Sequence, residues 1–559
     1  MHYIKKFSNL IFYKLSLFPK SLFAIFALAL LIRFWGITYG FPIIFNIDEP
    51  SFVRSVIGLR FSLNPNRFDW PHTFMYINFV FYMLFYYFRV IVQFFGLRSF
   101  LESIFPILWH DPIIFYFISR VIAATVGALT VFAVFLLISE VTKSRKLGLY
   151  SSLLFAFIPF HVYESHLALL DVPMTFFVVL GAYFSAKLLR EYTLKNFILS
   201  GVFYGLAFGT KYNALFYFMF TALVVFYYNF KKFKNSLLKT NSLLANFIEL
   251  TKNILSLKNI QNYFYFIVSF LFAYLITNPT VITNFKLFWS NKYGRGFLFV
   301  FQNAGSKTWL EYPLSLYNNF VTESISAFGL GVYIFFILGF ILFLFFNFRS
   351  KKAVLLITLP LFTYLYISKK DRSPPHYFIF VYPLIVGYVV LLIDMVSSFI
   401  SKELLYLKIR INKNMVFLFI FYSIFSFSFF KSIKHSYLLS RPDTRNLAYS
   451  WLKKNVTRQD QIYYYRGDLE QIPFIDLKAK KLKRVDIQNI NTSKLPFYLF
   501  VGVNGVSYKD LMEGDRDTDL IEGNISKFLE KSDLVFYAEP KNQQGPPVFI
   551  FKVYGISSK

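Results

Sequence analysis

The sequence predicts a polytopic α-helical membrane protein of about eleven spans, with a small soluble α/β domain at its C-terminal end. Three observations carry that expectation. The chain is 56% hydrophobic and 22% aromatic, whereas soluble domains sit at about 45–50% apolar, so the excess cannot be hidden in a water-soluble core. The excess comes in blocks of roughly 15–27 apolar residues, the length a helix needs to cross a hydrocarbon layer. Short basic loops separate the blocks until about residue 432, where strand-like segments and polar turns take over. Block length excludes a disordered chain and a transmembrane barrel, and the absence of cysteine excludes a disulfide scaffold. A net charge of +29 would suggest nucleic acid in a soluble domain. Here the Lys and Arg flank apolar helices, where anionic lipid and topology account for them.

The spans fall at roughly 22–39, 113–139, 147–163, 172–189, 196–210, 212–229, 262–279, 326–346, 353–367, 376–397 and 415–431. One class of alternate loops carries Lys5, Lys6 and Lys14, then Lys143, Arg145 and Lys146, and later Arg349, Lys351 and Lys352. The positive-inside rule places that class in the cytoplasm. The other loops, with Asp48, Glu49, Glu164 and Asp171, then face the outside, and an odd number of spans exports the C-terminus. Residues 74–95 are apolar enough to cross, but a crossing there would invert every later loop, so they are expected to lie along the membrane surface. The first span lacks a small-residue cleavage site and reads as a retained signal-anchor. The break GTKYN at 209–213 divides a long apolar stretch in two. Lysine at a bilayer centre costs about 2.5–3.5 kcal/mol, and two short helices meeting at the outer surface avoid that by holding Lys211 at the interface.

Two domains follow: 1–431 in the membrane, with its acidic motif in an outer loop at 40–112, and a soluble α/β domain at 432–559. In the latter TRNLAYSWLKKN (444–455) reads as an amphipathic helix, and segments at 461–465, 497–502, 533–539 and 547–554 read as strands.

The chemistry-bearing residues lie at the outer ends of the spans. Adjacent Asp48 and Glu49 can bind a metal or act as a general base, since mutual repulsion keeps one of them basic; they also suit an ordinary helix start. HVYESHLALLD supplies His161, Glu164, His166 and Asp171 ahead of Val172-Pro173, where Asp171 is placed to N-cap the next helix. The two histidines suit metal ligation or simple hydrogen bonding. Arg33, Lys211 and KKDRSPPHYF (369–378) put cations on the outer side, where they can hold a phosphate at headgroup depth or snorkel to lipid. Trp309 and Tyr312 can stack on a sugar or join an interfacial aromatic belt.

Taken in order, Arg33, Asp48-Glu49, NPNRFDWPHTFMYI (64–77), the run from SRVIAATVGALTVFAVFLL to LGLYSSLLFAFIPFHVYESHLALLDVPMTFF, GLAFGTKYNALF, SPPHYFIFVYP and RPDTRNLAYSWLKKN resemble the GT-C glycosyltransferases. The resemblance is to glycosyltransferase family 39, which includes protein O-mannosyltransferases and the lipid A aminoarabinose transferase, and it covers about residues 20–460. It implies a GT-C fold in the bacterial inner membrane and a multi-pass hexosyltransferase with its active site and C-terminal domain on the periplasmic side. The enzyme would move a sugar from a polyprenyl-phosphate carrier to an acceptor hydroxyl on a protein, lipid or glycan, with inversion. Asp48 would be the general base, Glu49 its support and Asp171 a second acid orienting the acceptor or a divalent metal. Lys211, Arg372 and His376 would hold the carrier phosphate. Arg33, His166, Trp309, Tyr312 and Tyr377 complete the substrate-binding set. The family's usual Arg before the Tyr is His376 here, which shifts the phosphate role toward Arg372. A divalent cation stays open, with Asp48 and Asp171 as candidate ligands. Two other classes compete. A lipid-linked oligosaccharide flippase or transporter would show midplane charges and inverted repeats, and neither is visible. A non-catalytic anchor leaves the outer-face acids and cations unexplained.

Overall fold

In the computed structural model, the described residues are 18–234, 251–290, 296–302, 305–345, 350–457, 459–465, 480–482, 495–502, 526–540 and 543–555. Lys5, Lys6, Lys14 and Arg349 lie outside them. The chain divides into two compact units, Met1–Phe34 with Phe52–Lys434, and Trp35–Ser51 with His435–Lys559.

The larger unit is helical. Each of the eleven apolar segments contains a helix, and seven helices are long and apolar enough to cross a membrane among the described residues. Six fall on expected spans: Ile113–Thr142, Tyr212–Lys231, Leu257–Ile276, Lys351–Ser368, Pro375–Tyr406 and the helix Lys413–Leu439. The seventh is Thr73–Phe94, whose Phe81, Leu84, Tyr87, Ile91 and Phe94 are exposed. At about 1.5 Å per residue its 22 residues match a hydrocarbon core of about 30 Å. Length and composition therefore suit a crossing as well as the surface placement expected from the charge pattern. The chain is a multi-pass membrane protein.

One expected span is two pieces. The 147–163 segment forms helices Arg145–Ala156 and Pro159–Glu164, because Pro159 cannot donate into the preceding turn and holds Ile158 in an extended conformation (φ −68°, ψ 114°). Close helix packing explains the glycines of the Leu194–Phe208 helix. A Cβ on Gly201 or Gly205 would run into the backbone carbonyls of Phe266 and Phe270 on the Leu257–Ile276 helix. Polar groups inside this bundle satisfy one another. The Ser185 hydroxyl lies 2.6 Å from Ser200 and 2.7 Å from Thr221, and Tyr204 joins both Ser185 and Thr221 at 3.3 Å.

The smaller unit holds a five-stranded sheet: β1 Gln461–Tyr465, β2 Lys480–Leu482, β3 Phe497–Gly502, β4 Ser532–Ala538 and β5 Val548–Val553. Its order is β2-β1-β3-β5-β4, with β1 parallel to β2 and β3, and β5 antiparallel to β3 and β4. The Thr444–Asn455 helix packs on β4 and β5, capped by Asp443, whose carboxylate accepts from the Arg445 amide and its guanidinium. Residues 35–51 belong here: Tyr39 donates to Asp443 at 3.1 Å, and Arg445 lies 3.7 Å from the centre of the Phe45 ring.

Candidate active site

The helix break at GTKYN builds the centre of the site. The Leu194–Phe208 helix ends there, Lys211 is extended (φ −154°, ψ 135°), and a 3₁₀ turn, Tyr212–Phe216, restarts the chain. This geometry turns the Lys211 side chain to Asp171, whose Oδ1 accepts from Nζ at 2.7 Å. The side chains are only 16% and 5% exposed, so little water competes with the bond. Asp171 is the first residue of the Asp171–Lys187 helix, where the dipole favours a carboxylate. The N-cap is Leu170, without a side-chain cap, so the expected capping role goes unfilled; the nearby ammonium is the stronger partner.

The Pro374-Pro375 turn brings a third segment to the pair. Lys211 Nζ lies 4.9 Å from the Tyr377 ring centre, a cation–π contact. The His376 ring stands edge-on to Tyr377 at 4.9 Å, within Coulombic reach of both Asp171 and Lys211. Four of the anticipated residues, from three distant segments, thus converge.

A collar from residues 67–73 holds the Lys211 turn. Tyr212 donates to the Phe68 carbonyl at 2.7 Å, and the Thr73 amide donates to Gly209 at 2.8 Å. Arg67 pairs with Asp69 through two bonds, 3.0 and 2.5 Å, and covers the Trp70 ring. His72 is fully buried. Its Nε2 lies 2.6 Å from the Arg67 carbonyl and its Nδ1 3.1 Å from the Thr280 hydroxyl. One nitrogen donates and the other accepts, which assigns the neutral tautomer with hydrogen on Nε2. Burial pushes its pKa down to about 4. In the sequence this segment stands out only through its resemblance, and its knitting role is signalled by no more than the adjacent Pro71-His72-Thr73 before a long helix.

The other anticipated residues sit elsewhere. Arg33 is fully buried, and its guanidinium donates to the Ala29 and Ala156 carbonyls and to Ser165 Oγ, and meets His161 Nδ1 at 3.1 Å. It clamps one helix to the 156–165 segment, and its full burial leaves no part of it to snorkel to lipid. His166 is buried with Nδ1 2.8 Å from the Val162 carbonyl. Trp309, 76% exposed, stacks under the Lys369 ammonium at 3.8 Å, and Tyr312 donates to the Leu365 carbonyl. Their segment is laid along 369–371 by a short antiparallel bridge between Ser306 and Lys370. Arg372 is exposed. Asp48 and Glu49 open the Asp48–Ser62 helix, whose first amides are capped by Asn46 Oδ1 at 2.9 and 3.2 Å. Glu49 is fully buried and Asp48 partly so. Arg120, also fully buried, lies in the Ile113–Thr142 helix. Among the described residues no three His, Cys, Asp or Glu side chains gather as a metal site. Asp171, one candidate ligand, is already engaged by Lys211.

Residues 72–288 match the family model for dolichyl-phosphate-mannose-protein mannosyltransferase. The resemblance read from the motifs is met over that stretch, which includes His166, Asp171 and Lys211. No curated protein matches the chain. Among solved structures it is similar to the Archaeoglobus fulgidus oligosaccharyltransferase in the apo form, at 12% identity and a TM-score of 0.43 over 81% of this chain and 63% of that one. It is also similar to ArnT from Cupriavidus metallidurans bound to undecaprenyl phosphate, at 12% identity and a TM-score of 0.45 over 94% of this chain and 97% of that one. A complex of the Archaeoglobus protein with zinc and sulfate gives 12% identity and a TM-score of 0.47, over 94% and 73%.

Proposed function

We propose that this chain is a GT-C glycosyltransferase that moves a sugar, such as a hexose, from a polyprenyl-phosphate carrier to an acceptor hydroxyl. The observation that carries the reading is the Lys211–Asp171 pair, inside the segment that matches the mannosyltransferase family, with Tyr377 and His376 beside it from a later part of the chain. A departing polyprenyl phosphate needs a cation at its developing charge. The Lys211 ammonium has three N–H groups, and the bond to Asp171 uses one of them. Asp171 then acts by fixing where that ammonium points, a use that the geometry supports better than orientation of an acceptor. Arg372 adds positive charge, and His376, beside the pair, a hydrogen-bond donor. Asp48 removes the acceptor proton, Glu49 supports it, and attack opposite the leaving phosphate inverts the anomeric centre.

The positive-inside pattern supports the inner membrane, with this site and the C-terminal domain on the periplasmic side. The test is transfer from a polyprenyl-phosphate sugar in proteoliposomes. Lys211→Met and Asp48→Asn should each lower the rate about 10²-fold or more, the usual size of one lost electrostatic or base contribution. Undiminished transfer by both variants would overturn the assignment.

A further inference from the structure

The Asp48–Ser62 helix carries a second feature that the reaction above leaves unused. Past its first turn, one face presents Arg54, Ser55, Gly58, Phe61 and Ser62, a spacing of one, four, seven and eight residues that lines a single side of a helix. The chain then doubles back through Asn64, Pro65 and Asn66. Leu63 and Asn66 take the left-handed conformation (φ 52° and 54°), and the Asn66 amide donates to Asn64 Oδ1 at 2.9 Å. Helix face and returning loop border an open groove of about 430 Å³.

Gly58 is the informative residue. It sits in a helix interior, where glycine weakens the backbone. Neither of glycine's usual reasons applies: its φ is not positive, and a Cβ placed on it meets nothing within 4 Å. The fold does not ask for glycine here, and what its missing side chain leaves is open space in the floor of the groove. The walls are a guanidinium, two hydroxyls and two carboxamides, with no carboxylate among them. Phe61 stands at the rim, 79% exposed, with the Arg60 guanidinium 4.5 Å from its ring centre. Planar amide and guanidinium donors beside an exposed aromatic face suit a ring of hydroxyls with one apolar side. They offer no apolar pocket for a peptide side chain.

We propose that this groove binds the saccharide of a glycan acceptor, distal to the hydroxyl that reacts. The proposal rests on the glycosyltransferase reading and narrows its acceptor to a carbohydrate. Arg54 lies six residues beyond Asp48 on the same helix, about 9 Å along the axis, so the groove begins one to two sugar units from the proposed base.

The test uses the full chain in detergent on an array of neutral and acidic oligosaccharides, beside an array of serine- and threonine-rich peptides. Wild type and Gly58→Ala should retain a saccharide, while Gly58→Gln and Arg54→Ala should hold it about tenfold more weakly or not at all. Glutamine is a better helix former than glycine, so an unfolding temperature no lower than wild type certifies the blocked variant. Binding needs neither donor nor chemistry. Saccharide retention by wild type without any transfer would sink the enzyme and leave the groove standing; transfer with equal retention by Gly58→Gln would sink the groove and leave the enzyme. Wild type retaining no saccharide, or retaining peptides in its place, overturns the proposal.

Discussion

Lys211 and Asp171, forty residues apart, meet at 2.7 Å because a helix break and a helix start face each other. Removing one partner of a poorly solvated ion pair leaves the other charge uncompensated, at a cost of about 3–5 kcal/mol when burial is complete. With Lys211 16% exposed, the low end applies. Lys211→Met and Asp171→Asn should each lower stability by about 3 kcal/mol, and the double variant by clearly less than the sum. Denaturant unfolding of all four proteins in detergent measures the coupling; additive losses would show that the pair is not held as a unit. For transfer, Asp171→Asn should lower kcat more than it raises KM for the donor, since Asp171 acts through Lys211.

Arg33 gives the contrasting outcome. Its guanidinium reaches two carbonyls, a hydroxyl and an imidazole in a fully buried setting, and lysine cannot reproduce that fork. Arg33→Lys and Arg33→Met should both destabilise by about 3 kcal/mol or more, leaving buried acceptors unmet. In whatever folded fraction survives, KM for the polyprenyl-phosphate donor should be unchanged. A selective rise in that KM with normal stability would return Arg33 to the substrate.

The contrast shows how far the sequence reaches. The helix break at Lys211 was legible because a lysine in an apolar run has one cheap location. The strands at 461–465, 497–502 and 548–553, and the Thr444–Asn455 helix, followed from local alternation and caps. Arg33 was not legible as a clamp. A basic residue near a span end has the same local pattern whether it turns to lipid, to substrate or to a carbonyl 123 residues away. The three-residue strand at 480–482 carries too few residues for any periodicity. The association of residues 35–51 with the C-terminal segment rests on Tyr39 meeting Asp443, a contact between positions 404 apart.

The glycine pair on the Leu194–Phe208 helix offers a packing test independent of chemistry. Gly201 and Gly205 let its backbone approach the carbonyls of Phe266 and Phe270. Gly205→Val would force the two helices apart, with the cost of about 1–3 kcal/mol that follows overpacking. The thermal midpoint in detergent should fall while Gly58→Ala leaves it unchanged or higher. A Gly205→Val protein as stable as wild type would mean that these helices do not pack this closely.

His72 should make stability depend on pH. Its folded-state pKa is lowered to about 4 by burial, against about 6.5 in the unfolded chain. Above pH 6.5 neither state binds the proton and the neutral ring's bonds to Arg67 and Thr280 are intact. Between pH 6.5 and 4 the unfolded chain takes up a proton that the folded protein refuses, so stability declines as pH falls through that window, by about 3 kcal/mol in full. Below pH 4 both states are protonated and this contribution stops changing. Unfolding free energies from pH 7.5 to 4 should show that slope in wild type and lose it in His72→Gln, whose amide keeps a donor and an acceptor without titrating. The same slope in both proteins would assign the pH dependence to another group.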